Sequence, residues 1–437
     1  MRWAQLERDV LWMTLAYRSV FRQVSRLLPC RYSARLSGSP SSPSMRRVAL
    51  SLCVLLGCAP MPSLASEFAL TLQQIMEDPS WIGPAVEAPY WTTDGQHIVY
   101  ALKPDASPQR RLFQVAPTGG APSAVDDAAL ADLDAAQVVW DAAHQRALMI
   151  KDGDLFLRTL GSPSLRQLTR SEAEEAQPGF MTDGRVMFRV GTDWFTLALD
   201  SGLISPTARL RTSVDPKAAK PDELAALQLR LIGTLAREKS WRDAAADRDA
   251  ALAKQSPHGL PAEVFLGDVK LVSTTLSPDG RWLLAVTEDP KADAGRLGRM
   301  PTYVTESGYE ESEEVRVRVG RNLPIAQQLL RVDLREGKVD TLDFAALPGI
   351  DVDPLADLRK QADKPALQGP RALRVNAVEF ARDGSRAAVM LRAVDNKDRW
   401  IVEVQADEAL QLRHRLTDPA WINWGFNEFG WLPDNRT

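Results

Sequence analysis

The sequence predicts an all-β chain, a β-propeller of four-stranded blades with a helical insertion, and three observations predict it. A short motif recurs in which an aromatic or apolar residue and a polar step precede Asp-Gly, with an alternating apolar strand after it. Three of the five intervals between neighbouring copies are 42 to 51 residues, the length of one four-stranded blade. Between copies run further short alternating strands that end in tight turns of their own.

The copies come in chain order. Tyr90 to Tyr100 turns at Asp94-Gly95, Phe180 to Phe188 at Asp183-Gly184, Leu276 to Val286 at Asp279-Gly280, and Phe380 to Val389 at Asp383-Gly384. Trp140 to His144, with Asp141 taken as its turn aspartate, is a degenerate copy, and Trp431 to Arg436, with Asp434-Asn435, a terminal one. Asp-Gly and Asp-Asn favour the positive φ angles of tight turns between antiparallel strands. Leu329 to Leu334 before Glu336-Gly337, and Trp194 to Leu199 before Ser201-Gly202, are later strands of the same units. The aspartates are spaced by 47 (94 to 141), 42 (141 to 183), 96 (183 to 279), 104 (279 to 383) and 51 (383 to 434) residues. The two long intervals each leave room for an undetected blade plus an insertion. A sandwich or closed barrel would not produce a motif recurring at this period.

One insertion is legible, over residues 221–256. From Pro221 to Lys254 strand signals stop, and Leu224, Leu227, Leu231 and Leu235 fall on one helical stripe. Asp222-Glu223 suits the positive end of a helix dipole. A charged second insertion, Pro354 to Ala366, reads as helical too.

Residues 1–66 read as leader and signal peptide, and residues 67–437 as the propeller. Met45-Arg46-Arg47, an apolar run over 48–57 and the small residues Ser63-Leu64-Ala65 have the order of a secretory signal, which makes Met45 the expected start and the protein exported to a periplasm. Cleavage after Ala65 is the favoured processing; Leu55-Leu56-Gly57-Cys58 resembles a lipobox and makes lipidation at Cys58 the alternative. No run of about 20 apolar residues predicts a membrane span. All three cysteines, Cys30, Cys53 and Cys58, precede residue 66, so the exported part has neither a disulfide nor a thiolate site.

A net charge of −4 gives no basic footprint for nucleic acid. No Gly-x-Ser-x-Gly elbow occurs. The histidines, His97, His144, His258 and His414, share no metal-ligand spacing, and neither a metal nor a cofactor is expected. Asp351, Asp353 and Asp357 lack the glycine and terminal glutamate of a calcium loop and read as helix-start residues. The densest carboxylates are Glu310, Glu311, Glu313 and Glu314, ahead of the alternating Val315-Arg316-Val317-Arg318-Val319. They are the candidate substrate-binding residues, able to hold a peptide's free amine. The competing reading is a solvated strand whose glutamates pair with Arg316 and Arg318.

The motif Ser277-Pro278-Asp279-Gly280-Arg281-Trp282 resembles the propeller repeats of periplasmic TolB-like proteins and of the prolyl oligopeptidase family of serine peptidases. Met300 to Tyr309, Arg392 to Trp400 (with Asp395-Asn396-Lys397-Asp398-Arg399) and Leu416 to Trp424 resemble stretches of exported bacterial members of that family. The resemblance implies a dipeptidyl-peptidase-IV-like propeller that precedes an α/β-hydrolase domain with a Ser-Asp-His triad and that filters or orients peptide substrates. The dipeptidyl branch binds the substrate amino terminus through two glutamates that follow an Asp-Trp-x-Tyr pattern. Here Asp193-Trp194 runs into Phe195-Thr196-Leu197 with no glutamates, and the Glu310 to Glu314 group offers the substitutes. Trp431 to Asn435 opens a repeat whose next strand does not follow, so the propeller is expected to be incomplete, Thr437 an artificial end, and the catalytic residues to lie on the missing domain. The alternative is a non-enzymatic TolB-like propeller that binds a protein or glycan partner.

Overall fold

The computed structural model describes residues 71–435 apart from 78–82, 105–106, 108, 163, 217–221, 256–259, 294, 318–323 and 433. Cys58 and the leader, with His258, lie outside the described residues. The chain divides into two units, the first ending at Ala131 and the second running from Asp132 to Thr437.

In the first unit a short helix α1 (Leu72–Met76) precedes an antiparallel sheet of β1 (Glu87–Trp91), β2 (Ile98–Leu102), β3 (Arg111–Val115) and β4 (Ser123–Ala124), ordered as in sequence. Val99 and Tyr100 are its buried residues, and Tyr100 stacks on Phe113 with ring centres 6.1 Å apart. Helix α2 (Asp127–Asp132) leads out of it.

The second unit repeats this meander four times. Its sheets are β5 (Val139–Trp140) to β8 (Arg166–Gln167) through β6 (Arg146–Lys151) and β7 (Asp154–Thr159), then β9 (Glu175–Phe180), β10 (Val186–Val190), β11 (Asp193–Leu197) and β12 (Ile204–Arg211). After helices α3 (Glu223–Leu231) and α4 (Gly233–Gln255), strand β13 (Glu263–Phe265) returns to pair parallel with β12. The next sheet is β14 (Lys270–Leu276), β15 (Trp282–Glu288), β18 (Gln327–Asp333) and β19 (Lys338–Thr341), with a hairpin of β16 (Leu297–Thr302) and β17 (Glu311–Val317) inserted between β15 and β18. Helix α5 (Ala356–Gln361) precedes the last sheet, β20 (Leu373–Phe380), β21 (Arg386–Ala393), β22 (Asp398–Gln405) and β23 (Gln411–Thr417). The long intervals therefore hold no further four-stranded sheet among the described residues, contrary to the allowance made for a hidden blade. The helices fill one interval; the hairpin and the α5 segment fill the other.

One turn recurs six times along the chain, five times between the first two strands of a sheet and once at 432–435. The fourth residue's amide donates to the first residue's carbonyl in Thr92–Gly95 (2.9 Å), Asp141–His144 (3.0 Å), Met181–Gly184 (3.1 Å), Ser277–Gly280 (2.8 Å), Ala381–Gly384 (2.9 Å) and Leu432–Asn435 (2.9 Å). Each fourth residue has positive φ, from 52° at His144 to 84° at Gly184, which explains the recurrent Gly and the terminal Asn. This register corrects the degenerate copy. Asp141 occupies the first position, not the third, and His144 stands where the others have Gly or Asn. Asp141 reaches the amides of Gln145 (2.8 Å) and Arg146 (3.1 Å) from the opposite end of the turn, so composition alone misassigned it.

Within the second unit successive sheets stack face to face through apolar cores, and β15, buried along its whole length, is apolar on both sides. Leu148, Leu155 and Leu157 pack with Val186, Phe188 and Leu197. Leu283 and Ala285 of β15 join Trp194, Leu210 and Val264, whereas the alternate Trp282, Leu284 and Val286 join Val389, Leu391 and Trp400. A period of two thus sends one strand's side chains into two different cores.

Candidate functional site

The four candidate glutamates lie on the inserted hairpin. Glu310 precedes β17, and Glu311, Glu313 and Glu314 stand on it opposite Thr302, Met300 and Arg299. All four are exposed. Strand alternation puts Glu311 and Glu313 on one face and Glu314 on the other, so the structure does not gather the four at one point. Glu311 accepts from the Ser307 hydroxyl at 2.6 Å. Among the described residues none of the four makes an ion pair, so the expected pairing with Arg316 is not formed. Tyr303, Val304 and Tyr309 are exposed in the loop that joins the strands.

Asp193 and Trp194 have structural work on β11. The Asp193 carboxylate accepts from the Leu210 amide and Arg211 Nη1, both at 2.9 Å. The buried Trp194 indole donates to Thr274 Oγ1 of the next sheet at 3.0 Å. Among the described histidines, His144 stacks on Trp140 in its turn and His414 lies against Arg399. No group of three or more His, Cys, Asp or Glu among the described residues is placed to hold a metal. Asp353 accepts from the Leu355 amide at 2.9 Å and pairs with Arg359, and Asp357 lies in the first turn of α5.

A buried charge constellation was not legible as a site in the sequence. It forms where Arg392 to Trp400 and Leu416 to Trp424 meet. Asn396, at φ 60°, turns β21 into β22. The Asp418 amide donates to the Lys397 carbonyl (2.9 Å), the Ile422 amide donates to the Asn396 carbonyl (3.0 Å), and Lys397 Nζ donates to the carbonyls of Pro419 and Ala420 (both 2.6 Å). Beneath this clasp the buried Asp398 accepts from Arg371 Nη2 (2.6 Å), Arg415 Nε (2.9 Å) and Thr417 Oγ1 (2.5 Å). Arg371 also reaches Asp395 at 3.2 Å. Both guanidiniums flank the Trp400 ring, at 5.3 and 5.9 Å from its centre. Burial disfavours the Asp398 charge, but the hydrogen bonds from Arg415, Thr417 and Arg371 outweigh it and hold the carboxyl below its ordinary value. The aspartates sit in a motif the sequence singled out. Their partners Arg371 and Arg415 come from β20's approach and from β23, so only the fold pairs them.

This network anchors the segment over it. Arg371 Nη2 donates to the Gly349 carbonyl (2.8 Å) and Trp400 Nε1 to the Pro348 carbonyl (3.1 Å). The anchored segment walls an open recess of about 530 Å³ lined by residues 345–351, Leu367, Gly369 and Pro370. Asp351 is the one ionisable side chain of that lining.

No family model matches the chain, and no curated protein is similar to it in sequence. Solved structures do align with it. Dipeptidyl peptidase 4 of Porphyromonas gingivalis is 12% identical with a TM-score of 0.37, over 80% of this chain and 43% of that one. A putative dipeptidyl aminopeptidase IV from Bacteroides ovatus is 9% identical with a TM-score of 0.32, over 78% and 39%. A putative TolB from Agrobacterium tumefaciens is 12% identical with a TM-score of 0.23, over 59% and 80%. The chain thus spans less than half the length of the two peptidases to which it is similar.

Proposed function

We propose that this chain is the propeller portion of an exported, periplasmic serine peptidase of the prolyl oligopeptidase type, and that it orients peptide substrates for a hydrolase domain carried on the same polypeptide. The observation that carries the reading is the clasp between Arg392–Trp400 and Leu416–Trp424. Two of the three longer stretches that resemble that family hydrogen-bond to each other and to one buried Arg-Asp network, while the third, Met300 to Tyr309, lies on the inserted hairpin. The serial four-stranded sheets, each with one recurrent turn between its first two strands and, in the second unit, stacked face to face, support a propeller. Processing at Ser66 or lipidation at Cys58 would place the protein outside the cytoplasm.

The test is made on the native protein, captured from its host with an antibody against residues 270–435. The reading expects a polypeptide larger than 437 residues that begins at Ser66 or at a lipidated Cys58. It also expects hydrolysis of proline-containing chromogenic peptides that a serine-directed phosphonate abolishes. A native polypeptide that ends at Thr437 and hydrolyses nothing would replace this reading with the TolB-like alternative, a non-enzymatic partner-binding propeller.

A further inference from the structure

The face of the last sheet turned away from the β15 core carries cations with too few counter-ions. The register sets Arg374, Arg392 and Arg399 directly opposite one another on β20, β21 and β22. Their side chains therefore leave the same face at spacings of about 5 Å, where like charges oppose each other. Arg374 is answered by Glu288 at 3.4 Å and by the Ile325 carbonyl at 2.6 Å. Arg399 meets Asn427 Oδ1 and His414 Nδ1, and no carboxylate among the described residues. Arg392 makes no ion pair or side-chain hydrogen bond with a described residue; its guanidinium lies 5.1 Å from the centre of the Trp424 ring. The Nε atoms of Arg392 and Arg399 and the indole Nε1 of Trp424 are all buried without an acceptor.

Three orphaned donors in one patch call for an acceptor, since buried donors are ordinarily satisfied, and two guanidiniums without a carboxylate favour an anionic one. The sheet cannot supply it. The next carboxylates on this face, Glu379 and Glu403, stand opposite Ala388, four residues and about 13 Å along β21. Glu403 is already held by Arg386 and Arg413. Burial pulls both Arg392 and Arg399 below the ordinary guanidinium value, and Arg374 adds to the effect at Arg392.

We propose that Arg392, Arg399 and Trp424 form a binding site for a peptide carboxylate, from either an acidic side chain or a C-terminus. Flat guanidinium forks match the two coplanar oxygens of a carboxylate, and the indole adds a wall and a third donor. The site is independent of the peptidase reading, because its residues bind an anion whether or not a hydrolase domain follows.

Titration calorimetry of the purified chain at low ionic strength tests it, with two pairs of probes. Acetyl-Ala-Glu-amide against acetyl-Ala-Gln-amide reports a side-chain carboxylate; acetyl-Ala-Ala against its amide reports a C-terminal one. At least one acidic probe should bind saturably while its neutral twin does not. Arg392→Gln should weaken that binding about tenfold and Arg392→Lys less, because lysine keeps the charge but not the fork. Trp424→Phe, which keeps the wall and removes the donor, should weaken it by about threefold. Arg399→Gln repeats the measurement should Arg392→Gln fail to fold. The proposal is overturned by no binding of either acid, by unchanged affinity in the arginine variants, or by inorganic phosphate or chloride binding as well as the peptides.

Discussion

The indole Nε1 of Trp282 donates to the backbone carbonyl of Gly384 at 2.9 Å, joining β15 to the turn of the next sheet. The same neighbourly contact recurs along the second unit. Thr182 donates its amide to the Pro278 carbonyl at 2.9 Å. Asn435 accepts from the Arg382 amide at 3.0 Å, and Trp431 Nε1 donates to the Glu379 carbonyl at 2.8 Å. From Met181–Gly184 to Leu432–Asn435 each recurrent turn thus touches the next one, so in that part of the chain the motif that punctuates the sequence also sets how closely adjacent sheets approach.

Gly384 should be the least replaceable of the turn glycines. Its φ is 75°, and a Cβ there would stand 2.7 Å from the Asp279 amide nitrogen, which is backbone and cannot step aside. Gly280, at φ 69°, would press on the flexible end of Met181 and make ordinary contact with Thr207, and Gly184, at φ 84°, would meet nothing within 4 Å. Substitution by Ala should therefore cost about 1 kcal/mol at Gly184 and Gly280, and about 3 kcal/mol at Gly384, where a clash adds to the left-handed strain. Urea unfolding of the three variants gives the order; equal losses would show that the turn-to-turn contact is slack.

Asp398 should make stability fall in acid. Its carboxyl lies below the ordinary value of 3.8 in the folded chain. A depressed carboxylate contributes stability that is present above its unfolded value and is lost as pH falls through the folded one. Asp398→Asn should cost about 3 kcal/mol at neutral pH, because it leaves Arg371 and Arg415 without their shared partner in a buried place. The gap between wild type and variant should narrow once the pH drops below about 4. Denaturant melts at pH 7, 5 and 3 measure it, and a gap of constant width would mean that the charge of Asp398 is not what matters.

The sheets were legible because their signal is local. Asp-Gly before an alternating strand states the turn, its left-handed residue and the face that follows, all within ten residues. His144 was not legible as the turn's fourth residue because the physical requirement there is a positive φ, which a histidine can meet at a cost composition does not reveal. The charged network was half legible. Asp395 and Asp398 stood in a distinctive stretch, but Arg371 and Arg415 are ordinary residues until β20 and β23 flank them. The leucine stripe on the inserted helices was a helix signal and nothing more: the chain breaks at Ile232, and Leu224, Leu227, Leu231 and Leu235 remain exposed.

The inserted helices should accordingly be dispensable for the sheets. No residue of α3 is buried, so its apolar stripe contributes little to the sheet cores. Replacing residues 222–255 by a short Gly-Ser linker should remove most helical circular dichroism and leave the β-sheet melting temperature within about 2 °C of the parent. The double variant Leu224→Ser, Leu231→Ser should reduce self-association in sedimentation experiments without lowering that temperature, since it removes exposed apolar surface alone. A large fall in melting temperature in either variant would mean that the helices brace the sheets.

The glutamates of the hairpin yield a prediction specific to the peptidase reading. Glu310 and Glu311 adjoin at the start of β17, are exposed, and make no ion pair with a described residue. Their charge is therefore available to a cation, and a peptide's free amine is the cation that an exopeptidase would read. Glu311 accepts a hydrogen bond from Ser307, which a glutamine oxygen also accepts, so Gln substitution removes charge and keeps local geometry. In the native polypeptide, the double variant Glu310→Gln, Glu311→Gln should raise KM for free-amine peptides by about fivefold. It should leave kcat unchanged, because the interaction is made equally in ground and transition states. Amino-blocked peptides should show no change in either constant. Equal effects on blocked and free peptides would assign the pair to a solvated strand, and an unchanged KM for both would remove these glutamates from the substrate path.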